Sequence, residues 1–161
     1  MRWLWLAAVV VVLDQWTKAL SVAHLELHQP LPVLPSFNLT LMYNTGAAFS
    51  FLNDAGGWQR WLFIALAMAV SGVIVIWLRR AATEGLWLPI ALSLVLGGAL
   101  GNLWDRITLG HVVDFIQVYY ARWYFPAFNV ADSAITVGAL MLLIDAFRHR
   151  PPGGGADRPS G

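Results

Sequence analysis

The sequence predicts an all-α polytopic membrane protein: four transmembrane helices, with a small β-rich piece between the first and the second. Three observations predict it. Of 161 residues, 58% are hydrophobic and only 12% are charged, about half the charge of an ordinary soluble domain, and the mean hydropathy is +0.62. Four stretches are mostly apolar over close to the roughly 20 residues that a helix needs to cross a bilayer. The nine tryptophans suit long water–lipid boundaries, where Trp anchors helix ends. Residues 1–150 form one expected domain. A net charge of +1 makes no electrostatic case for nucleic acid. The absence of cysteine excludes disulfides, thiolate catalysis and Cys-ligated metal.

The first helix is expected over residues 3–23, interrupted by Asp14 and Lys18. It has a rival reading. Arg2 followed by "WLWLAAVVVVL" resembles a secretory signal, with Ser21–Ala23 as a small-residue cleavage site. Asp14 and Lys18 fall between the apolar run and that site, which favours a retained helix. The next segment, residues 24–60, holds prolines and then "FNLTLMY", which alternates in part as a strand does. A β-rich piece resting on the outer surface is therefore expected at about 27–58. The second helix, residues 61–78, has no charge, and the third, residues 86–104, contains "LVLGGALGN". The aromatic stretch "FIQVYYARWYFPAF" suits the headgroup region. The fourth helix, residues 130–147, has Asp132 near its start and Asp145 near its end. The Pro/Gly-rich tail at 151–161 is expected to be disordered. Arg2, Arg79, Arg80, Arg148 and Arg150 fall on one side of this topology, which predicts that both termini are cytoplasmic.

The polar residues then converge near the outer face. Asp14 and Lys18 are i and i+4 and can pair, either as a functional charge or as a self-neutralising pair that snorkels outward. Asp105 and Arg106 close the third helix. As neighbours they do not face each other, so Arg106 is expected to reach another helix or a lipid phosphate. Asp145 is expected to pair with Arg148 at i+3. Gly97, Gly98 and Gly101 allow close helix approach, and a face without side chains would also leave room for a substrate helix. Asn44-Thr45-Gly46 reads as a turn.

Asp114 and Asp132 differ from the rest, because neither has a basic residue at helical spacing. Two carboxylates close together in a low-dielectric site cannot both ionise easily, so such a pair holds one proton. It can activate water with one member and protonate a leaving amine with the other. The bland alternatives are a helix N-cap for Asp132 and a solvated loop residue for Asp114. Spacing alone does not bring the two together. His24, His28, His111 and His149 lack the close pairing of a zinc helix, and no Gly-x-Ser-x-Gly elbow is present.

Five ordered motifs resemble the bacterial lipoprotein signal peptidase (signal peptidase II) family: "DQWTK" at 14–18, "NTGAAFSFL" at 44–52, "GGALGNLWDR" at 97–106, "VVDFI" at 112–116 and "FNVADSAI" at 128–135. The resemblance implies a four-helix inner-membrane aspartic peptidase whose β-rich segment and active site lie at the periplasmic face. By the same resemblance Asp114 and Asp132 would be the catalytic pair. Asp14, Lys18, Asn44, Gly46, Gly98, Asn102, Arg106 and Asn129 would bind substrate or support the pair. The implied substrate is a diacylglyceryl-modified prolipoprotein, cut just before the lipidated cysteine. Globomycin-type peptides would inhibit, membrane lipid would surround a monomer, and no cofactor or metal is implied. The aromatic stretch at 115–128 is a candidate lid. Two other classes compete. A proton-coupled carrier predicts a polar path across the membrane. A non-catalytic assembly factor predicts that Asp→Asn changes spare function while Gly→Leu changes abolish it.

Overall fold

A computed structural model describes residues 3–46, 57–81 and 85–148. The expected tail at 151–161, Arg2, His149, Arg150 and the 47–52 part of the second motif lie outside these residues. In chain order the elements are α1 (Leu4–His24), β1 (Leu31–Leu34), β2 (Phe37–Asn44), α2 (Trp58–Arg80), α3 (Trp87–Thr108), β3 (Val112–Tyr120), β4 (Trp123–Tyr124) and α4 (Val130–Arg148). All four helices are long and apolar enough to cross a membrane.

α3 is the central helix. It packs against α1, α2 and α4, and 56% of its apolar window is buried, against 17–28% for the others. Its glycines make this possible. A Cβ on Gly97 would lie 2.6 Å from Val10 Cβ of α1, and one on Gly98 would collide with the Ala131 carbonyl and lie 2.7 Å from Ile135 Cγ1 of α4. In lipid no hydrophobic force drives helices together, so this close backbone approach supplies the packing. The face beside Gly98 is thus filled by α4, and a further helix has no room on it. Large apolar side chains, among them Trp5, Val12, Trp16, Leu66, Met68, Val73 and Leu140, stay exposed on the bundle's outside, as a lipid-facing surface requires.

The bundle's interior changes along its length. At one end Ala7, Ile74, Leu78, Ala81, Leu88, Leu92 and Leu96 form an apolar core. At the other end, where α1 and α3 finish and α2 and α4 begin, sits the sheet. It is antiparallel, in the order β1-β2-β3-β4. β1 and β2 form the expected β-rich piece between α1 and α2, but β3 and β4 come from between α3 and α4. The segment expected to be an interfacial aromatic loop is thus largely strand. Val112, Val113, Asp114 and Phe115 are all buried, so β3 opens with both faces covered and lacks the polar–apolar alternation that reveals a strand. Only at the β3–β4 tip are the aromatics exposed, with Tyr120 at 76% and Trp123 at 79%.

Two features of this sheet set the place of Asp114 and of the start of α4. Between Leu39↔Ile116 and Met42↔Asp114 the register shifts, with two β2 residues set against one of β3. Such a bulge re-aims the side chains beyond it. Phe128 then pairs with Ile116 through two backbone bonds of 2.8 and 2.9 Å. This pins the entry of α4 against β3, two residues from Asp114.

Candidate active site

The first turn of α4 begins at Asn129, which is fully buried. Its side-chain oxygen accepts from the Asp132 N–H at 2.9 Å, and its own backbone N–H donates to Asp132 Oδ2 at 3.3 Å. This is the reciprocal arrangement of a capping box. Asp132 is therefore the third helical residue and Asn129 the cap, which rules out the alternative reading of Asp132 as the N-cap. The adjacent Ala131 N–H donates to Asp14 Oδ1 at 2.9 Å. A buried carboxylate of α1 thus satisfies another free amide at the positive end of α4.

The same cap reaches the second carboxylate. Asn129 Nδ2 lies 2.7 Å from Asp114 Oδ1 and 3.2 Å from the Val113 carbonyl. Asn44 Nδ2 donates to the other oxygen of Asp114 at 3.1 Å, while Asn44 Oδ1 accepts from the Gly46 N–H at 3.0 Å. Asn102 Nδ2 donates to Asp132 Oδ1 at 2.7 Å. The fold therefore brings a buried Asp114 and a half-buried Asp132 to one site, joined through Asn129. Asp114 is 3% exposed, so it is no solvated loop residue. Burial first, then the charge of Asp132, pushes its pKa up to about 7, against the opposing pull of the Asn44 and Asn129 amides and of Lys18.

Behind the pair lies a buried charge cluster. Lys18 is 3% exposed and does not snorkel. Its ammonium lies 2.8 Å from Asp14 Oδ2, 2.8 Å from Asp105 Oδ2 and 3.0 Å from Asn102 Oδ1. Three acceptors match its three N–H donors, the condition under which a buried ammonium is tolerated. A Cβ on Gly101 would lie 2.6 Å from Asp14 Oδ2, so only glycine leaves Asp14 its place.

Arg106 does reach another helix, but through an aromatic face and backbone carbonyls. Its guanidinium lies over the Phe63 ring of α2 and donates to the Gly46 carbonyl at 3.1 Å and to the Asn102 carbonyl at 3.3 Å. It ties the turn after β2 to α3 beside the pair. Gly98 alone among the expected site residues stands apart, at the α3–α4 contact.

Sequence reasoning left two residues, Gln15 and Asp105, out of the site. Gln15 Nε2 bridges from α1 to Asp105 Oδ1 at 2.8 Å. Asp105 is 1% exposed and also accepts from the Val113 N–H at 3.1 Å. A signal for Asp105 was present: Gly98, Gly101, Asn102 and Asp105 recur at helical spacing and so share one face.

The chain is similar to known proteins over nearly its whole length. The family model described as signal peptidase (SPase) II matches residues 6–148. The chain is 60% identical over 153 residues to the lipoprotein signal peptidase of Pseudomonas aeruginosa (strain UCBPP-PA14), covering 94% of this chain and 90% of that one. It is 59% identical over 152 residues to that of Acinetobacter baumannii (strain ATCC 17978), covering 92% and 86%. Among solved structures, a bacterial membrane enzyme determined by the in meso method at 2.3 Å superposes with a TM-score of 0.82 at 32% identity, covering 91% of this chain and 88% of that one. A second, determined at 1.9 Å, has a TM-score of 0.79 at 31% identity, covering 92% and 94%. The chain is a multi-pass membrane protein and belongs to the signal peptidase II family of peptidases.

Proposed function

We propose that the chain is an intramembrane aspartic endopeptidase that removes the signal peptide from diacylglyceryl-modified prolipoproteins, cutting just before the lipidated cysteine. The observation that carries this reading is the pair of a buried Asp114 and a half-buried Asp132, both hydrogen-bonded to one residue, Asn129. The pair shares one proton. The ionised carboxylate takes a proton from water, whose oxygen attacks the scissile carbonyl, while the protonated carboxyl donates to the carbonyl oxygen. When the tetrahedral intermediate collapses, a proton passes to the departing cysteine nitrogen. The member of the pair that gave its proton to the carbonyl oxygen takes one back from the collapsing gem-diol, so the pair recovers its single proton. The signal peptide leaves as a carboxylic acid, whose remaining proton passes to the freed amine or to solvent.

The site is at the periplasmic face of the inner membrane, with both termini cytoplasmic. Supporting this, Arg79 and Arg80 end α2 and Arg148 ends α4, all at the bundle end away from the sheet, as cytoplasmic helix ends carry Lys and Arg. Asn44, Gly46 and Arg106 border the pair and receive the substrate backbone. Globomycin-type cyclic peptides inhibit by occupying the same site, and the enzyme acts as a monomer without a cofactor.

The test is cleavage of a diacylglyceryl-modified prolipoprotein by the purified protein in detergent, beside Asp114→Asn and Asp132→Asn. Each variant removes a titratable proton at constant size and is expected to lose at least about 10³-fold in turnover. If folded variants cleave as wild type does, the pair is structural and the aspartic mechanism is wrong.

A further inference from the structure

We propose that Asp105 is the positioning residue of the carboxylate pair, holding both members through separate arms that start from its side chain. This rests on the reading of Asp114 and Asp132 as the catalytic pair.

The first arm is short. Asp105 Oδ2 accepts from the Val113 N–H at 3.1 Å, one residue before Asp114. The Val113 carbonyl accepts in turn from Asn129. Asp105 thus anchors β3 to α3 next to the catalytic side chain, beyond the bulge that re-aims it. The second arm runs through Lys18. Asp105 Oδ2 and Asp14 Oδ2 each hold the ammonium at 2.8 Å. The ammonium donates to Asn102 Oδ1, and Asn102 Nδ2 donates to Asp132 Oδ1 at 2.7 Å. Gln15 fixes the remaining oxygen of Asp105 at 2.8 Å. The carboxylate of Asp105 therefore binds α1 and β3, and so ties both to its own helix.

The cluster also controls charge. Two carboxylates hold Lys18 one amide away from Asp132. Without Asp105 the ammonium has one carboxylate fewer, and the carboxylate it reaches through Asn102 is Asp132. A direct Lys18–Asp132 ion pair would fix that carboxylate in its charged form and remove it from proton exchange. Other charges face this region as well: Asp14 and Lys18 from α1, Arg106 from α3, His111 ahead of β3, and Asp114 and Asp132 themselves. Arg60 of α2 spends its guanidinium on the Arg106 and Ile107 carbonyls. Lys18 reaches Asp132 through one side-chain amide, that of Asn102, whereas Arg106 reaches Asp114 by way of the Gly46 backbone and Asn44.

The experiment is steady-state cleavage of the lipidated prolipoprotein by the full chain in detergent, from pH 5 to 9. It compares wild type with Asp105→Asn, Asp105→Glu, Lys18→Gln, Asp105→Asn/Lys18→Gln and Asp114→Asn, with folded fraction measured alongside. Asp105→Asn is expected to lower kcat per folded enzyme by roughly 10²-fold, as misplacement of a catalytic group by about 1 Å does. KM should stay within about twofold, and the bell-shaped pH profile should move to lower pH. Asp105→Glu keeps the charge and lengthens the arm, so it lowers kcat without moving the profile. The double variant is expected to be no worse than the poorer single one, because the two residues act as a unit. Unchanged kcat per folded enzyme and an unchanged profile in Asp105→Asn would overturn the proposal while a dead Asp114→Asn preserved the catalytic reading. If Asp105→Asn does not fold, full activity in Asp105→Glu overturns it instead. A fully active Asp114→Asn removes both.

Discussion

The two ends of the bundle are built from the same helices on opposite terms. At the end away from the sheet, Ala7, Ile74, Leu78, Leu88, Leu92 and Leu96 meet as hydrocarbon. At the sheet end the buried side chains include Asp14, Lys18, Asn102, Asp105, Asp114 and Asn129, joined in one hydrogen-bonded network. At the apolar end each contact is a weak dispersion contact with no donor, acceptor or charge to satisfy. In the polar end each group satisfies another, so the loss of one strands a buried donor, acceptor or charge. The apolar end holds the molecule together; the polar end holds two carboxylates in a chosen geometry.

The polar end breaks most easily at Asn129, the residue the network shares. Asn129→Ala removes the cap of α4, worth about 1 kcal/mol, and a donor to Asp114. Turnover is expected to fall by roughly 10²-fold or more, a loss beyond what the cap alone explains, measured as kcat against folded fraction. Next in size is Gly101→Ala. Its new Cβ meets Asp14 Oδ2 at 2.6 Å, so Asp14 must shift against Lys18 and the Ala131 N–H that its two oxygens hold, and activity should drop about tenfold through displacement of the start of α4. At the apolar end Leu92→Ala should behave in the opposite way. It lowers stability by about 2 kcal/mol and shifts the thermal midpoint, yet leaves kcat per folded enzyme and the pH profile as they were.

The carboxylates also sharpen the contrast through pH. Asp114 has a pKa raised from 3.8 to about 7 in the folded protein, so folding favours its protonated form. The stability tied to that proton is complete below about pH 3.8 and is lost as pH rises through about 7. Wild type should therefore melt at a lower temperature at pH 8 than at pH 5. Asp114→Asn should show a smaller drop, measured by thermal unfolding in detergent. The smallest effect is expected at the sheet tip. Trp123 is 79% exposed, and Trp123→Ala should leave turnover and KM within about twofold. A large change there would support the lid reading of the aromatic segment.

Much of this was legible in the residues. The four apolar runs mark helices that differ by only a few residues from those observed, because span length is set by bilayer thickness. The polar residues stood out because ionisable groups are costly in lipid. β3 was hidden because burial on both faces erases its alternation. The position of Lys18 was hidden for another reason. Its i, i−4 partner Asp14 is visible along one helix, whereas Asp105 meets it only once α1 packs on α3. Asp114 and Asp132 are 18 positions apart, and the Phe128–Ile116 pairing that brings them together is a tertiary fact with no local spacing to announce it.

The capping of α4 has a consequence in time. Asn129 starts that helix with the atoms that join Asp114 to Asp132, and Asp14 of α1 accepts from an amide of its first turn. A chain with α1 to α3 in place and α4 not yet docked carries Asp114 without Asn129 or Asp132 beside it. The two carboxylates thus share a site only when α4 docks against α1 and β3, so the pair is a product of the complete bundle and of no part of it.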